Sequence, residues 1–426
     1  MPLPSVAPLA QDPTSRPHIQ LLEELTKHSL TRFHRRLLKL ERREIKQVRV
    51  LHWGDSHVAS DVLTGALRSA LQARFGDRGP GFVLLGRPWR SYRHEAARYG
   101  VKGRWRAERL YGRYSRRRPR PRDDHFGVAG VSVHTTPSQV AHAWLQARRG
   151  TLAQAEIYYL QQPHGGSMQI LVDGRLLRHV RTAGRKTRVK VLRLALPAKA
   201  RRVELQSKGD GEVRLYGADL RRRNPGILYD VLGINGARAD MQLAWGEATV
   251  AMMLRHLSPD LLVFAYGSNE VDATSIQTHK LTSNLRQVLA RARRAHPAAD
   301  CVVVGPPDQA RRVNLRQSLR SGLTKEREGA HWRIPQRLTH IVNAYRSAAR
   351  GSGCAFWDQR AAMGGLGSIF AWRDMEPPLA RADHVHFYVR GYQRLAEAFH
   401  GALMASYRTF RLRRVLAQTQ SGRSAL

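Results

Sequence analysis

Five apolar runs in this chain each end in glycine or a polar turn and give way to a helical pattern. They are VRVLHWG at 48–54, ILYDVLG at 227–233, LLVFAYG at 261–267, CVVVG at 301–305 and CAFWD at 354–358. Runs apolar on both faces that alternate with helices require a parallel sheet covered by helices on both sides. The intervening helices are expected over Ala59 to Arg74, Met241 to Leu257, a long Arg-rich stretch ending near Ala295, Arg337 to Ala349, and Arg390 to Tyr407. A further helix over His18 to Lys46, with leucines at helical spacing and basic residues between them, is expected to pack on the outside of the domain, a membrane-surface role for its basic face being the lesser alternative.

The first strand and its helix are cut off from the other four by a block of different character. Between about Val128 and Leu220, short period-2 runs such as AEIYYLQQ, SMQILVDG, VKVLRLAL and EVRLYGADL are separated by HGG, VDGR and KGDGE turns. That pattern predicts an antiparallel sandwich inserted into the α/β unit. The expected organisation is a Pro-rich disordered lead at 1–17, the first part of the α/β domain at 18–86, the β insertion at 87–225, the second part at 226–410 and a basic tail at 411–426. Within the insertion, Lys102 to Arg122 contains ten Lys or Arg with Trp105, Tyr111 and Tyr114 interleaved. A solvated irregular excursion is favoured over a dedicated nucleic-acid or glycan site, since no recognised binding module accompanies it.

Lys and Arg total 72 against 33 acids, a formal net charge of +39. Such a charge attracts nucleic acid, acidic lipid or an anionic wall polymer but does not define chemistry. With only two cysteines, Cys301 and Cys354, no disulfide framework or Cys-rich zinc site is indicated, and a single disulfide is left open. Both begin apolar strands, so buried free thiols are expected. No apolar run of about 18 residues is present, which argues against a spanning helix, and the N-terminal MPLPSVAPLAQDPTSRP lacks the pattern of a secretory signal.

Ligands of open parallel sheets gather where strands end, and three candidate sites fall there. Ser56 of Gly54-Asp55-Ser56-His57 sits at a strand-to-helix turn, where it is either a helix N-cap or a nucleophile beside the helix's first N–H groups. Gly236 in GINGA and Asn269 in YGSNE follow separate strands; with the Ser56 N–H they offer three donors around one oxyanion, or they are simply turn residues. Asp383 and His386 in RADHVHFY lie three apart, close enough for the carboxylate to fix the imidazole tautomer and leave its other nitrogen for the Ser56 proton. His384, immediately after Asp383, is expected to point elsewhere. A metal at Asp383, His384 and His386 is disfavoured because no further ligands cluster with them.

GDSH, Gly236, Asn269 and DHVH occur in the order of the four blocks of the SGNH, or GDSL-type, hydrolases, and the chain resembles that family. The GDSH variant, Asn269-Glu270, MGGLGS at Met363 to Ser368, DHVHF and a β insertion between the first two blocks are similar to the Ape-type peptidoglycan O-acetylesterases. The resemblance implies a flavodoxin-like three-layer α/β sandwich with a five-stranded parallel sheet, and an inserted β domain resembling a family 35 carbohydrate-binding module. It also implies Ser56 as nucleophile, His386 as general base, Asp383 as its partner, and an oxyanion hole of Ser56, Gly236 and Asn269, with no metal or cofactor. His57 becomes a family-type marker instead of a partner for the serine. The implied partner is O-acetylated peptidoglycan or another acetylated glycan, in the periplasm or cell envelope, with non-specific polyanion binding through the basic surface. Three other readings stand beside this one: an esterase of another acylated saccharide or small ester, an O-acetyltransferase with the same triad, and a basic polysaccharide- or nucleic-acid-binding protein on a degenerate hydrolase fold.

Overall fold

The structure is a computed structural model and describes residues 20–26, 29–109, 123–314, 323–327 and 329–423. Residues 110–122 of the basic excursion lie outside them, as does the Pro-rich lead. The parallel sheet consists of β1 (Gln47–Gly54), β2 (Gly226–Gly233), β3 (Leu261–Ala265), β4 (Asp300–Val304) and β5 (Ala355–Trp357), in the spatial order β2-β1-β3-β4-β5. This is the doubly wound, flavodoxin-like order, and the reversal of winding beside β1 opens a crevice at the carboxyl ends of the strands. The helices are α1 (Thr31–Glu41), α2 (Ser56–Ala59), α3 (Leu63–Phe75), α4 (Glu247–Leu257), α5 (Thr278–Ala295), α6 (Gln336–Gly351), α7 (Gln359–Met363), α8 (Ser368–Asp374) and α9 (Val389–Arg423). α1, α3 and α9 pack together, as do α4, α5 and α6, and these two groups supply the helical layers about the sheet.

Two antiparallel sheets form the insertion. One contains the strands at 106–109, 131–134, 154–161, 188–195 and 214–221; the other contains those at 97–102, 142–147, 167–172, 175–181 and 202–207. The first sheet also takes in Gly81–Val83, which pairs with Ala218 to Leu220, so the sandwich recruits residues before its expected start at 87. Alternation serves the core as the period-2 pattern requires: Met168, Ile170 and Val172 point inward while their neighbours are only partly covered.

Several expectations change. Among the described residues, the helix predicted over His18 to Lys46 forms at Thr31–Glu41, and Glu23 instead pairs its backbone with Phe356 of β5 in both directions and extends the edge of the sheet. The closing helix continues to Arg423, through most of the segment expected as a basic tail. The irregular basic stretch after β4 contains a small antiparallel sheet of Arg311–Val313, Thr324–Arg327 and Ala330–Arg333. Cys301 and Cys354 are not free thiols: β4 and β5 are neighbours in the same register, so the two Cα atoms lie 4.8 Å apart and the sulfurs form a disulfide.

The two units are joined through a charge cluster that is closed to solvent. Arg49 of β1 donates from Nη2 to Asp219 Oδ2 at 2.6 Å and pairs through Nη1 with Asp230 Oδ2 at 3.2 Å, all three side chains being fully buried. Asp219 belongs to the sandwich and Asp230 to β2. Replacing Arg49 by Met removes the cation that Asp219 and Asp230 share and leaves Asp219 its pairing with Arg221, and a loss of about 3–5 kcal/mol in unfolding free energy is expected by denaturant titration. A loss below about 1 kcal/mol would remove the cluster's structural role. For the disulfide, which closes a loop spanning 53 residues, the expectation is that Cys301→Ser with Cys354→Ser lowers stability by about 2–4 kcal/mol. Titration of two thiols in the denatured, unreduced protein would contradict the bond.

Candidate active site

The strand register sets the site. Gly54, the last residue of β1, is flanked by Gly233 of β2 and Ala265 of β3. Ser56, Gly236 and Asn269 therefore leave the sheet from one row of strand ends. The chain can turn this sharply because Gly54 has no side chain: a Cβ there would lie 2.3 Å from Val58 Cγ2 and 2.5 Å from the Ala265 carbonyl oxygen. The cap of the short helix α2 is Asp55, whose carboxylate accepts from the His57 N–H at 3.0 Å. The hydroxyl of Ser56 is consequently not spent on capping.

That hydroxyl meets His386 Nε2 at 2.9 Å, across 330 residues of chain, and His386 Nδ1 meets Asp383 Oδ2 at 2.8 Å. Asp383 Oδ1 accepts from the backbone N–H groups of Val385 at 3.0 Å and His386 at 2.9 Å, closing the loop on its own carboxylate. Partial burial opposes ionisation of Asp383, but the His386 ring and these two N–H groups outweigh it and hold the carboxyl well below the usual carboxylate range. An ionised Asp383 keeps the imidazole proton on Nδ1, which leaves the Nε2 lone pair facing the Ser56 hydroxyl.

The other imidazoles are excluded from this relay. His57 is buried against the His386 ring at 5.4 Å between centroids, and its Nδ1 lies 3.1 Å from the Tyr392 hydroxyl. Burial, reinforced by the neighbouring His386, pushes its pKa down to about 3, so it is a neutral packing partner. His384 turns away as expected: its Nδ1 faces the Ala382 carbonyl at 2.9 Å and its ring packs on Trp332 at 4.2 Å. The small sheet after β4 thus braces the Asp383–His386 loop, a contact strengthened by the Ala310 N–H donating to the His384 carbonyl at 2.9 Å.

Gly236 has φ 77°, a conformation for which glycine is favoured, and nothing fills the space where its Cβ would stand. Asn269 Nδ2 donates to the Ala237 carbonyl at 2.9 Å, which locks the amide onto the turn that carries Gly236. The residue that ties these turns together was not singled out for that role by the sequence. Glu270 is buried and accepts from the Ala239 N–H at 2.9 Å, the Gly267 N–H at 3.0 Å and the Tyr345 hydroxyl at 2.8 Å, so one carboxyl links the turns after β2 and β3 to α6. Its only sequence signal was its place directly after Asn269. A comparable brace supports the MGGLGS segment, where Asp308 accepts from the Gly367 and Ile369 N–H groups at 3.0 and 3.1 Å.

A hydroxyl, an imidazole and a carboxylate in series at the carboxyl ends of a flavodoxin-like sheet, beside turns that present amide donors, define an α/β ester hydrolase. The chain matches the GDSL-like lipase/acylhydrolase family over residues 178–394 and belongs to that family. Ser56 precedes the matched span and is brought to it by the parallel pairing of β1. Among solved structures, one described as a peptidoglycan O-acetylesterase in action is 25% identical and covers 91% of this chain and 99% of its own, with a TM-score of 0.72. A family two carbohydrate esterase from Clostridium thermocellum is 10% identical over 63% of this chain and 90% of its own, with a TM-score of 0.28. No curated protein matches the chain.

Burial is the main cause that pushes Glu270 to about 7, with the Asp55 carboxylate adding to it against the hydrogen bonds it receives. A raised carboxyl pKa contributes stability that is fully present below its ordinary value of 4.5 and is lost as pH rises through about 7. Glu270→Gln should flatten the stability profile across that window. By replacing an acceptor with a donor it should also lower kcat by about tenfold or more, since a backbone N–H that positions the donor turns loses its partner at a cost of about 1–3 kcal/mol. Unchanged kcat together with an unchanged stability profile would remove Glu270 from the site's support.

Proposed function

We propose that the chain is an O-acetylesterase of cell-wall glycan, in which Ser56 is the nucleophile, His386 the general base and then acid, and Asp383 its orienting partner. The observation that carries this reading is the unbroken series Ser56 Oγ, His386 Nε2, His386 Nδ1 and Asp383 Oδ2 at 2.9 and 2.8 Å. Ser56 Oγ attacks the acetyl carbonyl carbon while its proton passes to His386 Nε2. The tetrahedral oxyanion accepts hydrogen bonds from the Ser56 and Gly236 N–H groups and from the Asn269 amide. Collapse breaks the ester bond, and the sugar alkoxide takes the proton from His386, leaving acetyl-Ser56. Water, deprotonated by the same nitrogen, then releases acetate and restores the serine.

The peptidoglycan substrate is favoured by the 25% identity to a peptidoglycan O-acetylesterase over nearly all of both chains. A groove of about 730 Å³ lies between α3, α9 and the sandwich, with Val62 and Val389 among the residues that line it. The sandwich side of this groove carries exposed Arg93, Arg148 and Arg149, which suit a carboxylate-bearing strand. An extracytoplasmic location follows from that substrate, and the Cys301–Cys354 disulfide agrees with an oxidising compartment.

Acetate release from O-acetylated peptidoglycan, O-acetylated xylan and a small aryl acetate tests the reading directly. The expected order places peptidoglycan first. Ser56→Ala and His386→Ala should each lower kcat by about 10⁴-fold or more, and Asp383→Asn by a smaller factor, without loss of the folded state. Turnover in Ser56→Ala equal to that of the parent would overturn the nucleophile, and activity confined to the aryl ester would overturn the wall substrate.

A further inference from the structure

The last helix has two halves with different surroundings. α9 contains 35 residues, so it is about 50 Å long at 1.5 Å per residue. Tyr392, Leu395, Phe399, Leu403 and Tyr407 bury its first half against the domain. Beyond Phe410 the apolar side chains face solvent: Leu412, Val415 and Leu416 are 65%, 60% and 63% exposed. Their spacing of three and four places all of them on one face of the helix. Three large aliphatic side chains held in water on a single helical face call for a partner.

The charges around that face select the partner's chemistry. Arg408 lies on the apolar face and Arg411 and Arg413 flank it, Arg414 stands on the opposite side over the Phe410 ring, and the sequence contains no acidic residue after Glu397. Next to them lies the end of α1, held by the Tyr407 hydroxyl bond to Glu41 at 2.6 Å and the Arg411–Glu41 contact at 3.5 Å, and it adds exposed Lys39 and Arg43, with Arg42 paired to Glu44 at 3.8 Å. Two copies meeting through this face would press arginines against arginines with no carboxylate from the helix to relieve them. A surface that is both apolar and anionic satisfies the whole set. No described helix is long and apolar enough to cross a membrane, so the helix would lie in the interface.

We propose that the distal half of α9, with the adjoining end of α1, is a membrane-surface anchor that inserts Leu412, Val415 and Leu416 among the acyl chains of an anionic bilayer while its arginines bind lipid phosphates. The juxtaposition does not depend on the reaction the site performs. It would restrict the enzyme to substrate next to a membrane and make its attachment reversible and salt-sensitive.

The test uses the full chain and sedimentation with vesicles of phosphatidylglycerol and phosphatidylcholine mixed, or of phosphatidylcholine alone. Binding to the anionic vesicles should exceed binding to the neutral ones by about tenfold or more and weaken in high salt. Replacing Leu412, Val415 and Leu416 together by Gln keeps every charge and should lower binding to the anionic vesicles by about tenfold, while hydrolysis of a soluble aryl acetate stays within about twofold of the parent. If the Gln variant binds the anionic vesicles as well as the parent does, attraction comes from net charge alone and the anchor is overturned. It is equally overturned if the parent ignores both vesicles, or if the parent sediments as a dimer that the Gln variant converts to a monomer. Retention of an acidic protein by the parent, with no vesicle binding, would assign the face to a protein partner and also refute it.

Discussion

Everything else in the molecule rests on the pairing of Arg49 with Asp219 and Asp230. Arg49 lies on the central strand of the parallel sheet, Asp230 on its neighbour, and Asp219 on the sandwich strand that runs on into that neighbour. A guanidinium sealed from water is tolerated only where carboxylates compensate it, and here they come from both units. The sandwich cannot swing away without exposing or unpairing this charge. A second layer of the same kind surrounds it, since Arg221 donates to Asp219 and to Glu156, and Glu156 also meets His256 of α4 at 2.9 Å. The insertion is therefore an integral part of the sheet's support and not a module on a flexible stalk.

From that rigid frame the site follows through register. Because Gly54, Gly233 and Ala265 stand in one row, residues a few positions beyond each must converge above the sheet. Convergence alone leaves loops free to wander, and carboxyls remove that freedom: buried Asp55 caps α2, buried Glu270 ties the turns after β2 and β3, buried Asp308 holds the MGGLGS turn, and the more exposed Asp383 closes the histidine loop. Three of these four acids are pushed up to between about 6 and 7 by burial, whereas Asp383 is pulled down by the charges and donors it meets. The same side-chain type thus braces in one environment and polarises an imidazole in another.

The parallel sheet was legible because each of its strands is an apolar run closed by a turn signal, and such a pattern has few folded solutions. The Ser56, Asp383 and His386 contacts were legible for a related reason: strand ends are where a parallel sheet presents its loops, and a three-residue spacing lets a carboxylate reach an imidazole. What escaped was information held in neighbours distant along the chain. Cys301 and Cys354 read as buried thiols one at a time; only the adjacency of β4 and β5 makes them a bond. Glu270 looked like a variation beside Asn269, since its three donors come from Ala239, Gly267 and Tyr345. Around Glu23 the predicted helix is absent because a backbone partner in β5 outcompetes local propensity.

Charge is the property that composition states most loudly and locates least. The interior takes up Arg49, Arg68 and Arg214, but each is matched by Asp219 and Asp230, Asp61, or Asp123, so the core adds almost nothing to the net +39. Because paired ions cancel, the excess must stand at the surface, and its placement there is uneven. The strand Arg175–Arg181 and the distal half of α9 present cations with few acids nearby, while the Asp383 carboxylate is committed to His386. The contacts at the strand ends and the surface excess of cations therefore draw on separate groups, and those contacts neither create nor screen the field of the excess.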